Sequence, residues 1–275
     1  MKVIRKKLSK KRIFLIALFE VFFIVFLISS YKIVKYYIDK KEIDTVINEI
    51  TELTTIIESE SEEAEEINPP EDKNSLYYEF INMPFASVDF TKLLQKNNET
   101  VAWLIVNNTN INYPIVQTNN NDFYLNHSFD RTYNGGGWLF MDYRNNPTSF
   151  DTNTIIYGHS LLTKTMFGSL LNARYDWWYT NKENQVIKLS TPSENTLWQI
   201  FSIYKVIPEN YYINNTFNSE EEIQKFFDKL LERSVYDFNV DLIPSDKILT
   251  LSTCNTANGD ERLVVHAKMI KREQR

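Results

Sequence analysis

The sequence holds one thiol, Cys254, and three imidazoles, His127, His159 and His266. Cys254 ends the run Lys247-Ile-Leu-Thr-Leu-Ser-Thr-Cys and is followed by a polar loop with Asn255, Asn258 and Gly259. A thiol with no partner in its chain is an inert buried residue, half of an intermolecular bridge, or a reactive group. Its place at a strand end, facing a polar loop, favours access and reactivity. A nucleophilic cysteine needs a thiolate or a base to make one, because a thiol near its ordinary pKa of about 8.5 is mostly protonated at neutral pH. It also needs a donor for the oxyanion that forms on the attacked carbonyl. His266 lies inside the last apolar run, where a satisfied structural imidazole is expected, and His127 lies in the polar turn Leu125-Asn126-His127-Ser128. His159 follows Thr154-Ile-Ile-Tyr-Gly at a strand exit, which Gly158 would permit to be sharp, and is the best candidate base. Arg262 opens the next apolar run, eight residues beyond Cys254. An antiparallel return would set it beside the thiol; otherwise it is a solvated strand-end charge.

Other chemistries find little support. The chain has 6 glycines, three of them together at Gly135, Gly136 and Gly137, and no G-x-G-x-x-G or P-loop spacing. One cysteine excludes a disulfide framework, and three scattered histidines exclude a zinc finger. No His-x-x-x-His or EF-hand pattern is present, so no metal or cofactor is expected. Basic residues form no face outside residues 1–12, which argues against nucleic acid.

The elements that must position these residues are mostly strands. Eight short runs rich in β-branched and aromatic residues fall at 101–106, 113–116, 138–141, 154–157, 185–190, 197–206, 247–252 and 263–270. Their Pro and Asn punctuation predicts a mainly β domain over 76–275, a barrel or sandwich. A short helix is expected over 89–96, with Asp89 as its cap. A second helix is expected over 220–233, with Ser219 and Glu222 forming a capping box. Its residues Ile223, Phe226, Phe227, Leu230 and Leu231 should pack on the sheet as core.

The N-terminal quarter reads as an anchor. Residues 1–12 carry seven Lys/Arg and no acid, a cytoplasmic tail by charge. The apolar run that follows supports a transmembrane helix over 13–34. Glu20 interrupts it at a cost of about 2.5–3.5 kcal/mol. Fourteen Leu, Ile, Phe and Val residues outweigh that at about 0.3–0.6 kcal/mol each. Residues 39–73 hold 13 acids and 3 lysines, and 35–75 reads as an acidic stalk or linker. Ile43, Val46, Ile50, Leu53 and Ile57 follow heptad spacing within it. The folded domain is expected from about residue 76, outside the cell.

Three spaced motifs resemble those of the sortases, the membrane-anchored cysteine transpeptidases of Gram-positive bacteria. Thr250-Leu251-Ser252-Thr253-Cys254 followed by Arg262 looks like the cysteine signature, and Tyr157-Gly158-His159 like the histidine motif. Phe140-Met141-Asp142-Tyr143-Arg144-Asn145, with a helix before the cysteine strand, resembles class B in particular. The resemblance covers essentially residues 76–275. It implies an eight-stranded sortase barrel with N-terminal helices and no cofactor. It implies that Cys254 attacks the Thr carbonyl of a C-terminal NPQTN- or SPKTG-like sorting signal. His159 would serve as general acid and base, and Arg262 would hold the oxyanion. The implied partners are signal-bearing surface proteins, a peptidoglycan amine and the membrane. Asn121, Leu125, Tyr157, Tyr212, Ile213 and Ser252 match positions that line the signal in class B relatives. Asn255 departs from the acid found after the cysteine in some of them. Two other readings remain: another exported cysteine enzyme (an L,D-transpeptidase or papain-like hydrolase), and a non-catalytic receptor on a membrane stalk.

Overall fold

The structure is a computed structural model that describes residues 9–59, 63–207, 209–254 and 261–275. The chain divides at Glu42/Ile43 into an N-terminal unit and a second unit that runs to Arg275. In chain order the helices are α1 (Lys10–Leu53), α2 (Tyr77–Phe80), α3 (Thr91–Lys96), α4 (Asp176–Tyr179) and α5 (Glu220–Glu232). The strands are β1 (Ile56–Ser59), β2 (Glu65–Glu66), β3 (Phe85–Val88), β4 (Thr100–Val106), β5 (Asn112–Val116) and β6 (Phe140–Met141). They continue with β7 (Asn153–His159), β8 (Val186–Ser190), β9 (Glu194–Val206), β10 (Ile248–Cys254) and β11 (Arg262–Gln274).

Eight of these strands close into a barrel in the order β10-β7-β6-β5-β4-β8-β9-β11, with β10 pairing back onto β11. Each of the eight apolar runs supplies one of them. Closure leaves no edge among the eight, and β2 pairs with the outer end of β11. Two pairings are parallel, β7 with β10 and β5 with β6. The parallel pair β7–β10 is what brings the histidine and cysteine strands side by side. Such a pair needs a long crossover, and residues 160–247 provide it, carrying β8, β9 and α5 on the way.

Aliphatic and aromatic residues, among them Trp103, Ile115, Leu139, Leu249, Leu251 and Val265, fill one large buried cluster. A second cluster lies under α5, where Phe226, Phe227 and Leu230 pack with Tyr204, Tyr212, Ile248 and Val264. Ile223 and Leu231 of the expected stripe are partly buried against it. Ser219 caps α5 as its type demands, accepting from the Glu222 N–H at 3.2 Å. The return half of the capping box differs: Glu222 accepts from the N–H of Asn218 at 2.9 Å, one residue earlier than expected. Asp89 accepts from Thr91 N–H at the start of α3.

The stalk also differs from its expectation. Ile43, Val46 and Ile50 are buried in the main cluster, and β1 pairs with β3. The heptad-spaced stripe therefore packs against its own domain, and the folded unit starts well before residue 76. The acids of this stretch face solvent, as Glu49 and Glu52 do. The stripe stops where α1 stops, and Ile57, on β1, is 61% exposed. The large apolar residues of α1 between Ile13 and Ile28 are exposed. Among the described residues α1 is the one helix long and apolar enough to cross a membrane.

Candidate active site

β7 and β10 run parallel with Cys254 directly paired with His159 across the ladder. β10 and β11 run antiparallel, with Ser252 opposite Val264. Arg262 opens β11, two residues before Val264. His159 and Cys254 thus end two adjacent strands in one row, Arg262 opens the strand beyond them, and Tyr157, Ser252 and Val264 form the row before. Period-2 alternation turns the side chains of His159 and Arg262 toward the same face of the sheet as those of Tyr157, Ser252 and Val264. Asn255, Asn258 and Gly259 lie outside the described residues.

His159 is half-buried, and its Nε2 lies 2.7 Å from the carbonyl oxygen of Leu125. A carbonyl only accepts, so Nε2 carries a proton in this bond. That bond depends on a glycine. Gly137 has φ +59°, and a Cβ there would stand 2.5 Å from the Tyr124 carbonyl oxygen and 2.8 Å from that of Leu125. Gly158 answers a different need from the sharp strand exit expected of it. It lies within β7, and a Cβ would stand 2.1 Å from Leu139 and 3.0 Å from Phe167. Close packing requires it, and the strand runs on through His159.

Asp142 and Arg144, two residues apart after β6, tie down the neighbouring wall. Asp142 is fully buried, and Arg144 grips it with Nε at 2.8 Å and a terminal nitrogen at 2.7 Å. Tyr157 donates its hydroxyl to the same carboxylate at 2.9 Å, and the Asn121 amide donates at 3.1 Å. Arg144 also donates to the Ile213 carbonyl at 3.0 Å. Burial pushes the Asp142 carboxyl up. The hydrogen bonds from Arg144 and Tyr157, with the guanidinium charge, outweigh that and hold it below its ordinary value. Burial and the Asp142 charge push the Tyr157 phenol well up.

Arg262 donates to the Tyr212 hydroxyl at 3.3 Å, which in turn lies 3.1 Å from the Ser252 hydroxyl. Tyr212 and Ser252 are fully buried. A polar chain beneath them holds the Tyr211–Ile213 turn. Asn153 donates to the carbonyls of Tyr212 and Asn214 and accepts from Thr250. Thr250 therefore accepts from His266 Nδ1, whose Nε2 accepts from Tyr204. His266 is completely buried, and desolvation lowers its pKa to about 3, so the ring stays neutral. His127 stacks on Phe123 with Nδ1 on the Phe123 carbonyl, away from this network.

Every residue expected to line the signal or to act in catalysis falls in this one constellation. Asn121, Tyr157 and Ile213 converge on the Asp142–Arg144 pair, Tyr212 and Ser252 adjoin Arg262, and Leu125 carries His159 on its backbone. Sequence reasoning gave no role to Asp142, Arg144 or Gly137. The acid and arginine two apart, and the glycine triplet, were the available signals.

The sortase domain model matches residues 104–270. Over 250 residues the chain is 30% identical to sortase B of Staphylococcus aureus, covering 90% of this chain and 93% of that protein. The chain belongs to the sortase family, in its class B. Sortases are cysteine transpeptidases, so the papain-like and receptor readings fall away. The sortase also shares its fold with solved relatives. Sortase B from Bacillus anthracis in complex with AAEK1 superposes with a TM-score of 0.68 at 31% identity, over 86% of this chain and 99% of that one. The S. aureus sortase B–substrate complex superposes with a TM-score of 0.62 at 34% identity, over 66% of this chain and 84% of that one.

Proposed function

We propose that this sortase cleaves a C-terminal sorting signal, NPQTN- or SPKTG-like, after its Thr and passes the surface protein to a peptidoglycan amine. The Cys254 thiolate adds to the Thr carbonyl carbon, and the oxyanion takes a charge-assisted hydrogen bond from Arg262. The C–N bond then breaks, His159 gives its proton to the leaving amine, and a thioester remains on Cys254. The incoming amine attacks that thioester and loses its proton to His159, and the C–S bond breaks to restore the thiolate. The observation that carries this reading is the strand-end pairing of Cys254 with His159, beside the strand that Arg262 opens. Relatives solved with a substrate and with a glycine tripeptide support a peptide signal and an amine acceptor.

Asn121, Leu125, Tyr157, Tyr212, Ile213 and Ser252 line the groove for the signal, set by the contacts described above. The basic tail keeps residues 1–12 in the cytoplasm, residues 13–34 span the membrane once, and the catalytic domain works outside. The test is mass spectrometry of the full-length chain in detergent, incubated with NPQTN-, SPKTG- and LPXTG-type peptides. A thioester on the Cys254 peptide, with cleavage after Thr, is the expected result. Absence of an adduct from every peptide counts against the reading.

A further inference from the structure

We propose that a cavity on the outer face of β9 and β11, apart from the catalytic centre, is a second binding site. Its ligand is a short basic peptide segment whose main chain bonds to Gln199 and whose lysine or arginine meets Glu71, Asp72 and Asp241. The cavity has a volume of about 730 Å³, within the usual range of about 300–1,000 Å³ for ligand pockets. Two apolar clusters bound this face of the sheet. Leu197 and Ile270 belong to one, with Tyr77 and Phe80 of α2. Phe201 and Val264 belong to the other, under α5. Gln199 and Lys268, paired across β9 and β11, stand between the clusters and form the floor. Lys268 is six residues along β11 from Arg262, about 20 Å of extended chain. The cavity is therefore separate from the site of the reaction.

The floor carries an unused recognition group. Gln199 is 2% exposed, lines the cavity, and makes no side-chain hydrogen bond among the described residues. A buried amide without partners is costly. Its oxygen accepts and its nitrogen donates, the complement of the N–H and C=O of a peptide group. Its neighbour Lys268 is already satisfied. The Lys268 ammonium lies 3.0 Å from the buried Asp246 carboxylate and donates to the Asp241 carbonyl at 3.0 Å. Asp246 in turn accepts from the Asn68 amide at 2.7 Å and the Ile243 N–H at 2.8 Å. That network fixes two walls of the cavity, residues 68–72 and 239–243, around the open amide.

The rim sets the charge of the ligand. Glu71, Asp72 and Asp241 line it, and none of the three carboxylates pairs with a cation among the described residues. Asp72 spends one oxygen on the Asn74 N–H at 2.9 Å. Lys268 is neutralised by Asp246. The lining therefore attracts a cation. Pro69, Pro70, Val240 and Ile243 supply apolar wall. The methylene stem of a lysine or arginine can lie on it while the charged end reaches the carboxylates. A bare cation would leave Gln199 unused, and a neutral peptide would leave the rim unused. A basic peptide segment uses both.

The test is ligand-observed NMR on the full-length chain in detergent with two probes, acetyl-Gly-Lys-Gly-amide and its neutral counterpart acetyl-Gly-Gln-Gly-amide. The readout is binding alone, so it stands apart from the cleavage reaction. The wild type should bind the lysine probe about fivefold or more tightly than the neutral one, and less so as salt is raised. Gln199→Leu should weaken both probes about fivefold or more, because each loses its main-chain bonds. The double variant Glu71→Gln/Asp241→Asn should erase the preference for lysine and leave the neutral probe unchanged. Its two positions are exposed, so it keeps the fold and decides the matter if Gln199→Leu does not fold. No binding of the lysine probe to the wild type would overturn the proposal. So would full affinity in folded Gln199→Leu, which would leave only a charged rim. An undiminished lysine preference in the double variant would place the probe elsewhere on the protein and overturn it as well.

Discussion

Replacing Gly137 with Ala should slow acylation without weakening capture of the signal. The new Cβ would stand 2.5 Å from the Tyr124 carbonyl oxygen and 2.8 Å from that of Leu125. Both are several tenths of an ångström inside an ordinary carbon–oxygen contact, so this backbone must move. The Leu125 carbonyl is what His159 Nε2 bonds at 2.7 Å. A hydrogen bond to a neutral group is worth about 0.5–1.5 kcal/mol net, and one to a charged group about 1.5–3. In the proposed mechanism the imidazole alternates between these states, so losing the bond should cost about 1–3 kcal/mol in the acylation barrier. That is roughly a 5- to 140-fold fall in kcat at about 1.4 kcal/mol per decade. Holding Ala at φ +59° costs folding stability as well, about 1–3 kcal/mol, or several degrees in Tm. The assay is the rate of signal cleavage by the full-length chain in detergent, with KM and Tm measured alongside. A lowered Tm with unchanged kcat would refute the link from Gly137 to the imidazole.

The remaining predictions concern the groups around it. Arg262→Lys should lower kcat/KM for signal cleavage about 100-fold or more, because an ammonium cannot reproduce the guanidinium fork. Equal values would remove Arg262 from the oxyanion role. Asp142→Asn leaves Arg144 without its carboxylate, and should destabilise the fold by about 2–3 kcal/mol in urea titrations at pH 7. That figure is taken low because Arg144 is 36% exposed and partly screened. The Asp142 carboxyl is depressed in the fold, so its contribution is present above its unfolded pKa and is lost as pH falls through the folded value. The Asn variant should lack that acid-side loss. His266 takes up a proton below about pH 6.5 when unfolded but only near pH 3 when folded. Stability should therefore fall as pH drops from 6.5 toward 3, by up to about 1.4 kcal/mol per pH unit from this group. Urea titrations of His266→Gln between about pH 4 and 7 should show a slope shallower by that amount, and an unchanged slope would contradict the neutral buried ring.

The barrel was legible because each strand carries its own apolar run, and the chemistry because one thiol and one arginine bracket a single loop. Strand order was not legible. Nothing local in Thr154–Tyr157 says that it pairs in parallel with residues almost a hundred positions later. That pairing alone converts His159 from a strand-end imidazole into the neighbour of Cys254. The stalk misled for a similar reason: a stripe of Ile43, Val46 and Ile50 has the same spacing whether it meets another helix or its own domain. Backbone groups were also invisible, since Leu125 acts on His159 through a carbonyl that any residue would carry. Gly158 stands in the strand for the bulk of Leu139 and Phe167, contacts that exist only in the folded barrel.

The most direct test is the mass of the Cys254 peptide after the full-length chain meets a sorting-signal peptide, run beside Cys254→Ala. The account predicts a thioester ending at the signal's Thr in the first and neither adduct nor cleavage in the second. Cleavage by Cys254→Ala at a rate near that of the wild type would contradict it.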